Sequence, residues 1–150
     1  MNNFYTCDLS LKEMLMDIQS GKIQLPDFQR DWRWSDKLIR SLISSVLQSF
    51  PIGAIMMLET DSKNRRFKVR MLEGVNSDHA QNEPTALILD GQQRLTALFQ
   101  SLMSGKPVST LNSGGDEVLR WYYIDMEQCI KVDGDRETAI ISRRTDGQLR

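Results

Sequence analysis

The sequence predicts a domain of the α+β class, because segments with helical and with strand-like apolar periodicity both occur along its 150 residues. The net charge is −1, with 40% hydrophobic and 26% charged residues, which is typical of a globular chain. A chain of this length buries roughly 70% of its unfolded surface, so a single domain over residues 1–150 is expected. Binding to nucleic acid would need a local basic patch or another part of a longer protein.

Three helices are predicted. The segment Ser10–Ser20 has apolar residues at helical spacing, and Ser10 with Glu13 forms a capping box. The segment Ser35–Ser49 has a broader apolar stripe and begins with a serine that caps it. A third apolar stripe occupies Leu95–Met103 and predicts a helix that follows directly on an apolar run.

Short apolar or alternating runs predict six extended segments, which are Ile23–Leu25, Ala54–Leu58, Phe67–Met71, Ala86–Leu89, Leu119–Asp125 and Thr138–Ile141. The second run is apolar throughout, so we expect a buried strand that pairs with the third run as a hairpin. Polar residues with glycine or proline predict loops at Glu73–Thr85 and Ser109–Asp116.

The cysteines and the hydropathy indicate a cytoplasmic protein. Cys7 and Cys129 have no paired spacing and are expected to be free thiols, and the single histidine, His79, is too few for a zinc site. There is no basic region followed by an apolar run at the start, and no apolar run approaches the ~20 residues that span a bilayer. No membrane association is therefore expected.

The turn between the run Ala86–Leu89 and the third helix is the strongest candidate site. Asp90–Arg94 follow a predicted buried strand directly, which places unpaired backbone N–H groups and a partial positive charge at a helix N-terminus. Such a terminus is suited to an anion, phosphate above all, and Gly91 allows a ligand close to the backbone. The simpler alternative is a plain turn, with Asp90 as the helix cap and Arg94 in solvent.

Each side chain of this turn has a candidate role in phosphate chemistry. Arg94 offers a planar set of donors that matches phosphate oxygens, and Gln92 and Gln93 can donate or accept hydrogen bonds. Thr96 adds a hydroxyl one turn into the helix. Asp90 could bind a divalent metal, position water or orient Arg94. The spacing of a Walker A loop is absent, which excludes an ordinary P-loop enzyme.

A second polar cluster, Leu25–Ser35, precedes the second helix. In it, Gln29 and Arg30 are expected to face the same cleft as Arg94. The segment also holds three aromatic residues, which are Phe28, Trp32 and Trp34. They could stack on a base, but burial against the following helix is the favoured interpretation.

A third cluster is the basic run Lys63–Arg70, which has five cations in eight residues. It could contact a nucleic-acid backbone. A solvated tip between two strands is the favoured interpretation, because runs of like charge usually mark exposed edges.

Two of these clusters together resemble a known family. The segments LPDFQRDWRWS and LILDGQQRLTAL, with SFPIGAIMMLE between them, resemble the paired signatures of the DGQQR family (domain of unknown function 262) in the ParB/sulfiredoxin-like superfamily. The resemblance covers about Ser10–Ser104. It implies a small mixed sheet flanked by helices, with a phosphate-binding turn at a helix N-terminus.

The resemblance also implies a ligand and a set of site residues. The expected ligand is a nucleoside triphosphate, accompanied by Mg²⁺ held at Asp90. The residues expected to bind the nucleotide are Gly91, Gln92, Arg94, Thr96 and Arg30. Those expected to act in hydrolysis are Asp90, Gln93, Arg94 and Gln29.

The family further implies a role in restriction of phage or foreign DNA. Its members are usually longer, and many have a C-terminal HNH-type nuclease domain, for which the one histidine here is too few. We therefore expect residues 1–150 to be the N-terminal part of a longer protein, with DNA and a nuclease domain or partner subunit as partners. Two alternatives stay open: a nucleotide-switched binding module without hydrolysis, and a DNA-binding or nicking module whose turn grips DNA phosphate.

Overall fold

The computed structural model describes residues 5–61, 68–76, 78, 82–131 and 135–146. In these residues the elements follow one another as α1 (Leu11–Gln19), β1 (Ile23–Pro26), α2 (Asp36–Leu47), β2 (Met56–Glu59), β3 (Val69–Arg70), β4 (Ala86–Asp90), α3 (Gln92–Leu102), β5 (Val108–Leu111), β6 (Glu117–Ile124), α4 (Met126–Cys129) and β7 (Ile140–Arg144). The predicted α+β class is confirmed, because these helices combine with one mixed and one antiparallel sheet.

The mixed sheet has four strands in the order β2-β4-β1-β3. Its two central strands, β1 and β4, are parallel, and each edge strand runs antiparallel to its neighbour. The side chains of Leu87 and Ile88 on β4 are fully buried, as expected for an apolar run at the centre of a sheet. The end of β4 leads directly into α3, so the sheet sets the position of that helix.

The second sheet is antiparallel, with the strands in the order β5-β6-β7. Alternate residues of β6 point to opposite faces: Val118 is buried, whereas Leu119, Trp121 and Tyr123 are exposed. On the inner face, Tyr122 donates a hydrogen bond of 3.0 Å to the carboxylate of Asp36. This bond ties the second sheet to the first turn of α2.

The core lies around α3, which contacts α1, α2 and β5. Every residue of α3 from Leu95 to Gln100 is buried, including the 1% exposed Phe99. Because this helix is enclosed by its neighbours, its N-terminus has a fixed place relative to α2 and to the sheet. Both cysteines are free. None of the described helices is long and apolar enough to cross a membrane.

The predictions for the first two helices are confirmed. The side chain of Ser10 caps α1, and Glu13 completes the capping box through the backbone of Ser10. These hydrogen bonds hold the pKa of Glu13 below its usual value. The side chain of Ser35 accepts a hydrogen bond from the backbone of Leu38 and so caps α2.

The predicted hairpin between Ala54–Leu58 and Phe67–Met71 is wrong. β2 pairs with β4, and β3 pairs with β1 on the far side of the sheet. An apolar central strand needs a partner on both edges, and β2 and β1 supply them for β4. The run at 54–58 is also not a buried strand, since Met56 and Leu58 are 51% and 44% exposed at the edge of the sheet.

In the C-terminal half, the bounds of two predicted segments differ from those in the structure. The first part of the predicted loop Ser109–Asp116 is strand β5, and the turn is confined to the residues after it. There the side chain of Asn112 accepts hydrogen bonds of 2.8 Å from the backbone of Gly114 and of Asp116. The strand expected at Thr138–Ile141 is β7, which begins later and extends further because it pairs with β6 along its length.

Candidate functional site

A cleft of about 460 Å³ opens where β4 meets α3. The turn Asp90–Arg94 forms one wall, and Gln29 and Arg30 of the β1–α2 loop (residues 27–35) form another. One face of α2 and the segment after it close the remaining side. The structure therefore brings together the two sequence clusters that were expected to share a cleft.

Gly91 stands at the start of α3 in the left-handed conformation, with φ +90°. No side chain caps the helix there, so the backbone N–H groups of its first turn remain available to a ligand. A Cβ on Gly91 would lie 2.4 Å from the Cδ1 atom of Ile55, so the Ile55 side chain would have to move to admit one. The interpretation of Asp90 as the helix cap is wrong, because Asp90 ends β4 and its side chain is 73% exposed.

Arg94 is not a solvated side chain. Its guanidinium donates hydrogen bonds of 2.5 and 2.9 Å to the carbonyl oxygens of Ile52 and Ala54, and its Nη2 atom lies 3.6 Å from a carboxylate oxygen of Asp90. Gly53 makes this possible, since a Cβ there would lie 2.1 Å from Arg94 Nη1. Arg94 thus holds the segment after α2 against α3 while it also lines the cleft.

The two glutamines of the turn hold the β1–α2 loop. The buried amide of Gln92 donates a hydrogen bond of 2.6 Å to the carbonyl oxygen of Arg30. The amide of Gln93 donates to the carbonyl oxygen of Asp31 at 3.0 Å and accepts from the backbone of Arg33 at 3.1 Å. Both polar ends of Gln93 are therefore bonded to the loop, which restricts its freedom to position water.

Arg70, the last residue of the basic run, and Glu73 hold the same loop from its other side. Arg70 donates hydrogen bonds of 3.1 Å to the carbonyl oxygens of Gln29 and Arg30, and of 3.0 Å to the carboxylate of Glu73. Gln29 in turn donates to the carbonyl oxygen of Leu89 at 3.1 Å. The loop is thereby fixed between β3 and the end of β4.

The basic run at 63–70 was expected to be a solvated tip. Residues 63–67 lie outside the described residues. For Arg70 the prediction is wrong, because its side chain is only 27% exposed and is bonded to the β1–α2 loop. No sequence signal marked Arg70 or Glu73 as part of the site, since their partners are mostly backbone atoms distant in sequence.

Thr96 and Asp90 differ in their access to the cleft. Thr96 is fully buried and is not part of the cleft lining, although it was expected to contact the nucleotide. Within the described residues, no three His, Cys, Asp or Glu side chains come together to hold a metal. A single carboxylate at Asp90 still fits Mg²⁺ if water and nucleotide phosphates complete its octahedral shell.

The aromatic residues of the loop do not behave alike. Trp32 and Trp34 stack on each other with ring centres 5.9 Å apart, and both are half-buried. Trp34 also lines the cleft. The expected burial of Phe28 is wrong, because 66% of its surface is exposed.

The cleft wall formed by α2 was missed in the sequence. Leu38 belongs to the apolar stripe of that helix, but 49% of its surface is exposed and it lines the cleft with Ser41 and Ser45. The available signal was the position of Leu38 at the margin of a broad apolar stripe, where a side chain can face either the core or a neighbouring groove.

Comparison with known proteins gives two results. A model of the N-terminal domain of GmrSD restriction endonucleases matches residues 11–148. The chain is also 31% identical over 137 residues to the uncharacterized protein MJ0686 of Methanocaldococcus jannaschii, with 89% of the chain and 23% of that protein covered. The chain therefore spans about a quarter of the length of this curated relative. Because the family model matches almost the whole chain, the chain belongs to the family of GmrSD restriction endonuclease N-terminal domains, within the ParB-like restriction group.

Proposed function

We propose that this domain binds a nucleoside triphosphate in the cleft between α3 and the β1–α2 loop. One observation carries the proposal: the uncapped N-terminus of α3 and the side chains of Arg30 and Arg94 line a single cleft. Unpaired backbone N–H groups and the helix dipole favour a phosphate, and Gly91 lets it approach closely. Two guanidinium groups beside that terminus supply the charge that a polyphosphate requires.

The proposed site assigns different tasks to the residues of the turn. The backbone N–H groups after Gly91, with Arg94 and Arg30, bind the phosphates. Asp90 holds Mg²⁺, which would neutralise phosphate charge. The side chains of Gln92 and Gln93 position the loop, because their amides are bonded to it. We leave Thr96 out of the site because its hydroxyl is buried away from the cleft.

The proposed reaction is hydrolysis of the triphosphate. Water attacks the γ-phosphorus, the bond from that phosphorus to the bridging oxygen breaks, and the products are a nucleoside diphosphate and inorganic phosphate. Positioning and charge neutralisation provide most of the rate in such reactions. Gln29 or Asp90 would orient the water, since both side chains lie at the cleft.

The longer protein is proposed to act in DNA restriction. The family match supports this role, and the relative's greater length supports further domains beyond the matched region. In this proposal, nucleotide turnover in the present domain controls a DNA-cleaving part elsewhere, and DNA is the partner of the whole protein.

The side chain of Arg30 offers a clean test, because it is exposed and only its backbone carbonyl holds the loop. We expect the wild-type protein to bind ATP with Mg²⁺ in a calorimetric titration and Arg30→Ala to weaken binding at least tenfold. Arg143→Ala, an exposed arginine outside the cleft, is the matched control and is expected to bind within twofold of wild type. Failure of the wild-type protein to bind any nucleoside triphosphate would contradict the proposal.

One observation favours a second candidate, a nucleotide-switched module without hydrolysis. The bonds from Arg94 to the carbonyl groups of Ile52 and Ala54 compete with a phosphate for the same guanidinium. Nucleotide binding would then release the segment after α2. Phosphate release at a measurable rate favours the hydrolase. Tight binding without release, together with faster hydrogen exchange in residues 50–55, favours the switch.

A further inference from the structure

We infer that α2 forms the part of the cleft that holds the nucleoside of the bound nucleotide. The inference rests on the proposed function, because it concerns the same cleft. It goes further by assigning the base and sugar to named residues and by predicting how strongly one base is preferred over another.

The first support is the periodicity of the cleft wall. Leu38, Ser41, Leu42 and Ser45 all line the cleft, and their spacing of three, four and seven residues places them on one face of α2. Leu38 is 49% exposed on this face, so it offers apolar surface to a ligand. The helix thus presents the exposed Leu38 and two serines along one side of the cleft, whereas Leu42 is almost fully buried behind them.

The second support is the division of the cleft into two chemical parts. Among the lining residues, the turn Asp90–Arg94 and Arg30 contribute charges and backbone donors, whereas α2 and Trp34 contribute apolar surface and hydroxyls. A nucleotide has the same division between its phosphates and its nucleoside. The cleft, at about 460 Å³, lies within the range of roughly 300–1,000 Å³ of pockets that hold a whole small ligand.

The chemistry of this wall predicts weak selection among bases. Leu38 and Trp34 provide apolar contact, which every base accepts on its ring face. The hydroxyl of Ser45 donates to the carbonyl oxygen of Ser41 at 3.0 Å, and its lone pairs remain free to accept. The hydroxyl of Ser41 can donate or accept, so the two serines together suit donor and acceptor groups on a base or a ribose alike. We therefore expect affinities for ATP, GTP, CTP and UTP within tenfold of one another.

The test compares nucleotides with inorganic tripolyphosphate, each with Mg²⁺, by calorimetry. We expect the wild-type protein to bind nucleoside triphosphates at least tenfold more tightly than tripolyphosphate. Leu38→Ser is expected to weaken nucleotide binding about fivefold and to change tripolyphosphate binding by less than twofold. Leu47→Ser is the matched control, because it makes the same change at an exposed leucine of α2 outside the cleft.

The outcomes separate this inference from the proposed function. Equal affinities for nucleotides and tripolyphosphate would overturn the nucleoside subsite and leave the phosphate site standing. If nucleotides bind more tightly than tripolyphosphate but Leu38→Ser leaves their affinity unchanged, the nucleoside lies elsewhere. A preference above tenfold for one base would overturn the expected weak selection. Absence of binding by both ligands would overturn the subsite and the proposed function together.

Discussion

The side-chain amide of Gln92 donates a hydrogen bond of 2.6 Å to the backbone carbonyl oxygen of Arg30. These two residues are separated by 62 positions, and each belongs to a different motif of the sequence. With the bonds from Gln93 to the same loop, this contact fixes where the side chain of Arg30 leaves the backbone. The glutamines thus explain physically why the two motifs occur together: one positions the other.

Loss of the Gln92 amide should weaken both folding and the site. In Gln92→Ala the buried amide bond is lost, so we expect the free energy of unfolding to fall by about 1–2 kcal/mol and nucleotide affinity to fall several-fold. Urea denaturation and ATP titration measure the two effects. Gln100→Ala, a buried glutamine of the same helix outside the cleft, should lose stability without losing affinity. Equal losses of affinity in both variants would contradict the positioning role of Gln92.

Replacement of Arg94 by lysine should destabilise the fold although the charge remains. A lysine has no planar pair of donors for the carbonyl oxygens of Ile52 and Ala54, so we expect the free energy of unfolding to fall by about 2 kcal/mol. Guanidinium denaturation measures the change. Arg143→Lys at an exposed position should stay within about 0.5 kcal/mol of wild type. An unfolding free energy for Arg94→Lys equal to wild type would show that the two carbonyl contacts add no stability.

An alanine at Gly91 should be worse than an alanine at another left-handed glycine. Both Gly91 and Gly105 have positive φ, which costs a residue with a Cβ roughly 1–2 kcal/mol. Gly105 has open space around the added atom, whereas at Gly91 the Cβ would collide with Ile55. We therefore expect Gly91→Ala to lower the thermal midpoint more than Gly105→Ala. We also expect Gly91→Ala to weaken nucleotide binding and Gly105→Ala to leave it unchanged. Equal midpoints would mean that Ile55 moves aside without cost.

The stability of the protein should decline at high pH because of Tyr122. Burial, and then the nearby carboxylate of Asp36, raise the pKa of Tyr122 well above its usual value of 10. An acid whose pKa is higher in the folded state stabilises the fold fully below pH 10, and this contribution is lost as the pH rises further. The loss is at most about 1.4 kcal/mol per pH unit. Denaturation of Tyr122→Phe above pH 10 should show a shallower decline than the wild-type protein.

The control for that measurement is Tyr123→Phe, which removes a phenol from the exposed face of the same strand. It should show the same decline as wild type. If Tyr122→Phe and wild type have the same pH dependence above pH 10, the folded state does not hold this phenol neutral.

Several parts of the fold follow from local sequence. The capping box of Ser10 and Glu13, the serine cap of α2 and the strand–turn–helix at Asp90 depend on residues within four positions of one another. Such contacts form in any context that allows a helix, so their sequence signals were sufficient. The α+β class followed from the same local periodicities.

The strand pairing did not follow from local sequence. The hairpin between neighbouring strands was expected from their proximity along the chain, but β3 pairs with β1 and β2 with β4. Which edges meet depends on how helices cover the sheet faces, and that is a property of the whole domain. The exposure of Leu38 and of Phe28 was decided in the same way.

The sequence by itself determined that Asp90–Arg94 stand at the junction of a buried strand and a helix, and that Gln29 and Arg30 belong with them. Only the tertiary structure decided what these side chains bond to. The partners of Gln92, Gln93 and Arg94 are mainly backbone carbonyl groups 40 to 62 residues away in the chain. Every residue has a carbonyl oxygen, so nothing in the sequence marks which one a side chain will meet.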